Sequence, residues 1–111
     1  MITLKEIHLI RKINRLETEV FQMIEKEKEL TPQEKLEKIA KEIIICELYE
    51  EKFKHLLTLN HVGMQEDYTK ELNYYTKYRK DLQKNYNKFV KRVNKKMMAD
   101  KCINNFFLHV A

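Results

Sequence analysis

One glycine, Gly63, and one proline, Pro32, are all that 111 residues contain, and this scarcity limits the fold more than any other feature of the chain. Tight β turns consume glycine, usually as Asn-Gly or Asp-Gly, so a chain with a single glycine has no means of closing several hairpins. Helix remains. The same two residues mark where helices stop and start. At Thr31-Pro32-Gln33-Glu34, Thr31 suits an N-cap and Pro32 the first helical position, where its missing N–H costs nothing. Glu34 completes a capping box. At Asn60-His61-Val62-Gly63 a helix C-terminus with a left-handed residue is expected.

These breaks delimit segments of about 3–29, 32–59 and 64–98, each with apolar residues every three or four positions. The first carries Ile10, Ile13, Leu16, Val20 and Ile24, and the second Leu36, Ile39, Ile43, Cys46, Phe53 and Leu57. The third carries Tyr68, Leu72, Tyr75, Tyr78, Leu82, Tyr86, Phe89, Val93 and Met97. As helices they are rods of about 40, 42 and 52 Å. Short connections make neighbours antiparallel, so the expected fold is all-α: three long antiparallel helices in an up-down-up bundle with coiled-coil-like packing. Residues 1–111 form one domain on this reading. A softer break at Ala99-Asp100, with Asp100 as cap, allows a short fourth helix over about 100–110.

With 43% apolar residues the chain has material for one core, and no run approaches the roughly 18 apolar residues of a membrane span. Met1 to Arg11 lacks the charged, apolar, small order of a secretory signal. The expectation is a soluble cytoplasmic protein. Cys46 and Cys102 lie far apart without a CxxC motif and read as reduced thiols. Abundant Ile, Lys, Asn, Tyr and Phe, with alanine only at 40, 99 and 111, reflect A/T-rich codons and suit a phage, plasmid or viral accessory factor.

The second segment is apolar on two sides. Leu36, Ile39, Ala40, Ile43, Cys46, Phe53 and Leu57 make one stripe; Ile45, Leu48, Tyr49, Leu56 and Leu59 make another. Either this helix sits centrally, covered by its neighbours, or the second stripe meets another chain. The second alternative makes Ile45, Leu48, Tyr49, Leu56 and Leu59 a partner interface, for a homo-oligomer or a helical protein partner. A small bundle buries only about 60% of its unfolded surface, which favours added core through association.

Charge is unevenly spread. Residues 77–101 hold ten basic and two acidic side chains, a local net of +8, whereas residues 1–76 carry a net of −3. Lys77, Lys80, Lys84, Lys88, Lys91, Arg92 and Lys95 occupy an arc of about 120° opposite the apolar stripe. Lys80, Lys84, Lys88 and Arg92 follow one another at i,i+4, a spacing at which like charges destabilise a helix. An anionic partner relieves that repulsion. Nucleic acid is one candidate, since the row spans about 27 Å, roughly eight base pairs at 3.4 Å each. The alternative is a solvated face, neutralised from within by Glu25, Glu27, Glu29, Glu34 and Glu37 of the first connection.

Tyr68, Tyr75, Tyr78 and Tyr86 fall on the apolar arc and are expected to pack inward, with Tyr74 the exception. Glu42, Glu47, Glu50, Glu51 and His55 make a carboxylate-rich face, but Glu51-x-x-x-His55 lacks the Glu-x-x-His spacing of di-iron bundles, and no second copy exists. No zinc spacing and no glycine-rich phosphate loop occurs. The expectation is a non-enzymatic helical interaction protein, without cofactor or metal, that self-associates or docks on a protein partner; the alternative is a nucleic-acid-binding accessory protein using the basic stripe of residues 77–101.

Overall fold

The computed structural model describes the backbone of residues 2–110 and the side chains of residues 2–95. It consists of three α-helices and no strand among the described residues: α1 (Leu4–Glu25), α2 (Pro32–Thr58) and α3 (Gln65–Val110). Thr3 caps α1 by accepting from the Glu6 amide at 3.2 Å. α1 stops at Glu25 and gives way to a single 3-10 turn, Glu27–Glu29, where the apolar spacing let it run to about residue 29. Its last turn holds one carboxylate, Glu25, and no basic residue, an arrangement the helix dipole disfavours, and the chain must extend through Leu30 and Thr31 to reach Pro32.

α2 opens on the full capping box. Thr31 Oγ1 accepts from the Glu34 amide at 3.1 Å, and the Thr31 amide donates to the Glu34 carboxylate at 3.4 Å. It ends where Asn60 takes φ +52°, and Gly63 follows at φ +81°. Asparagine tolerates the left-handed region through its short polar side chain, and glycine through having none.

Beyond Gly63 no residue forces a stop, and α3 runs as one helix to Val110 rather than breaking at Ala99-Asp100 into a fourth. A lone aspartate inside a helix costs only about 0.7 kcal/mol relative to alanine. Without glycine or proline beside it, that does not end the helix. The Asp100 side chain lies outside the described residues.

The helices alternate in direction. Thr3, at the start of α1, meets His55, and Glu27, just past its end, meets Lys38 of α2; Phe53 meets Tyr68, and Glu50 meets Arg79, across α2 and α3. α2 packs on both neighbours, which touch each other little. A helix flanked on two sides needs two apolar stripes, and this accounts for its pattern. Among the described residues the buried apolar core is small: Leu9, Ile13 and Val20 from α1, Cys46 and Leu56 from α2, Leu82 from α3. Ile24, on the apolar spacing of α1, is 46% exposed. Continuing the α2–α3 register brings Pro32 opposite the neighbourhood of Lys91 to Lys95, so α3 projects past the other two by about 25 Å. The molecule is 74 Å long and 22–23 Å across. None of its described helices is long and apolar enough to cross a membrane.

Candidate functional site

The α3 face turned away from α2 carries Lys77, Lys80, Lys84, Lys88, Lys91, Arg92 and Lys95, all exposed. Among the described residues, none of the seven forms an ion pair. The acids of the first connection are engaged elsewhere: Glu27 pairs with Lys38 at 3.2 Å, Glu37 with Lys41 at 3.5 Å, and Glu34 is in the capping box. None of Glu25, Glu27, Glu29, Glu34 and Glu37 reaches the row. The like-charge ladder is therefore left to solvent and its ions. Asp81 is the one acidic side chain within the arc, and it too is exposed.

Arg79 belongs to the same stretch of sequence but not to this face. Its Nε donates to Glu50 Oε1 and its Nη2 to Glu50 Oε2 at 3.3 Å, while Nη1 donates to Gln83 Oε1 at 3.2 Å. Thr76 Oγ1 donates to Glu50 as well, at 3.1 Å. Glu50 is 6% exposed, and a buried carboxylate with three donors is a satisfied structural charge. The bond to Glu50 is the main reason the guanidinium holds its proton above the ordinary arginine value. In sequence, Arg79 stands out only by falling about 160° from the centre of the basic arc.

The Glu/His face of α2 is split among partners: Glu42 pairs with Lys38, Glu50 with Arg79, Glu51 with Lys5, and the His55 ring lies 3.0 Å from Thr3 Oγ1. No group of three or more His, Cys, Asp or Glu side chains among the described residues is placed to hold a metal ion. Burial, reinforced by the nearby Glu50 charge, pushes the Cys46 thiol up to about 11. At neutral pH it is not a nucleophile.

Comparison of the chain with protein-family models, curated proteins and solved structures finds no match. The functional reading therefore rests on these surfaces alone.

The second stripe of α2 shares its face with Lys41, which pairs with Glu19 of α1, with His55, which meets the α1 cap Thr3, and with Lys38, which pairs with Glu27 in the turn that follows α1. Leu56 is buried, and Ile45, Leu48, Tyr49 and Leu59 are half-buried. Tyr49 donates its hydroxyl to Glu17 of α1 and stacks on Tyr75 of α3 at 4.3 Å and 7°. Burial, followed by the bond to Glu17, holds that phenol well above its usual range.

From Tyr49 an aromatic chain continues outward. Tyr75 meets Tyr74 edge-on at 5.1 Å, and Tyr74 lies 6.2 Å from Tyr78 at 19°. Tyr74 is 60% exposed, as its position off the apolar arc implies; Tyr78 is 44% exposed, although the periodicity placed it inward. It sits at the edge of that arc.

Proposed function

We propose that the protein is a non-enzymatic nucleic-acid-binding accessory protein that holds phosphates along the exposed face of α3. The observation that carries this reading is the row of seven exposed cations, unpaired among the described residues, on a helix that projects beyond its bundle. A row of lysines reads charge and has no bidentate geometry for base edges, so binding is sequence-independent. Self-association through Ile45, Leu48, Tyr49, Leu56 and Leu59 is the weaker alternative, because that stripe is turned toward α1.

The test is retardation of a labelled oligonucleotide at low salt by wild type and by a Lys84→Gln, Lys88→Gln, Lys91→Gln triple variant. Glutamine keeps helix propensity close to that of lysine. Three lost phosphate contacts lower affinity by about 2–3 decades near 0.1 M salt. No retardation by wild type, or an unchanged affinity in the triple variant, overturns the proposal.

A further inference from the structure

Resting on that reading, we propose that the nucleic acid taken by α3 is single-stranded and that Tyr74 and Tyr78 stack its bases while Lys77, Lys84 and Lys88 hold its phosphates. The two rings are exposed by 60% and 44% on a helix that buries Leu82 nearby. They lie about 60° and 100° around the helix from Lys77, one turn and so about 6 Å apart along it. Bases reaching one flank and phosphates reaching the next is the arrangement single-strand binders use, with aromatic faces beside a basic track.

The rings are braced in place. Tyr78 lies near-parallel to Tyr74, Tyr74 is held edge-on by Tyr75, and Tyr75 stacks on Tyr49, whose hydroxyl is anchored on Glu17. A ring fixed through three others to the core loses little rotamer freedom when a base docks. A duplex keeps its bases stacked internally and offers these rings nothing, so the tyrosines matter only for an unpaired strand.

The experiment compares full-length wild type, Tyr74→Ala with Tyr78→Ala, and Tyr74→Phe with Tyr78→Phe, on an oligothymidylate and on a duplex of equal length at one low salt concentration. Thermal melting confirms that each variant is folded; if the alanine pair is not, the Leu pair replaces it. The expected result is a loss of about 10–100-fold for the alanine pair on the single strand, less than threefold on duplex, and less than threefold for the phenylalanine pair on either. An alanine pair within threefold of wild type on the single strand overturns the stacking proposal. So does an equal loss on both nucleic acids. In those cases wild-type binding to both nucleic acids leaves the phosphate reading standing, whereas a wild type that binds neither removes both proposals.

Discussion

Replacing Arg79 by methionine tests whether the Glu50–Arg79 pair carries the α2–α3 contact. Glu50 has 8% of its side chain exposed and Arg79 22%. The substitution leaves a buried carboxylate with the Thr76 hydroxyl as its remaining donor. Removing one partner of a buried pair costs about 3–5 kcal/mol, and the partial exposure of Arg79 places this case near 3. With a urea slope of about 1.5–2 kcal/mol/M for a chain of this size, the unfolding midpoint falls by about 1.5–2 M. The double variant Glu50→Leu, Arg79→Met removes both charges and replaces them with apolar groups of similar volume. It is expected within about 1 kcal/mol of wild type, because much of the single-variant loss is the stranded charge and not the bond. Urea unfolding followed by circular dichroism reads both. A single variant that loses less than about 1 kcal/mol, or a double variant as unstable as the single, refutes this reasoning.

Two further outcomes follow from the same packing. Leu48→Lys with Leu56→Lys strips apolar contact worth about 3–6 kcal/mol from under α1 and is expected to unfold the chain at 25 °C; a folded, helical variant by circular dichroism means that α1 does not cover this stripe. Alkaline pH is expected to destabilise the fold. Cys46 is raised to about 11, and burial raises Tyr49, Tyr75 and Tyr78, while its bond to Glu19 raises Lys41. The unfolded chain therefore releases these protons first. Stability fully present below about pH 9 is lost as pH climbs past 10, the thiol alone contributing up to about 2–3 kcal/mol. Equal urea midpoints at pH 8 and pH 10.5 contradict this.

Local chemistry was legible. Thr31, Pro32 and Glu34 announce the start of α2, and Asn60 with Gly63 its end, because caps and left-handed residues are decided by neighbours a few positions away. The three helices and the overhang of the third follow from those breaks. What lay beyond reach was which surface meets which. The apolar pattern of α2 shows two stripes but not that α1 takes the one with Leu56, since register decides that Glu19 finds Lys41 and Glu27 finds Lys38. Asp100 reads as a cap because aspartate favours caps, yet a helix interior tolerates it when nothing else ends the helix. Arg79 hid among ten basic residues. The basic row itself was plain from spacing and charge, whereas the exposure of Tyr78, at the edge of the apolar arc, was not.

The salt dependence of oligonucleotide affinity reports directly on whether the α3 lysines contact phosphates. If Lys84, Lys88 and Lys91 each neutralise a phosphate, log K falls linearly with log salt, with a slope near −0.9 per contact on duplex and −0.7 on single strand. The Lys84→Gln, Lys88→Gln, Lys91→Gln variant is then expected to flatten that slope by about 2.7 on duplex and about 2.1 on single strand. A variant with the wild-type slope, or a wild type whose affinity does not change with salt, contradicts the assignment of α3 as a phosphate-binding face.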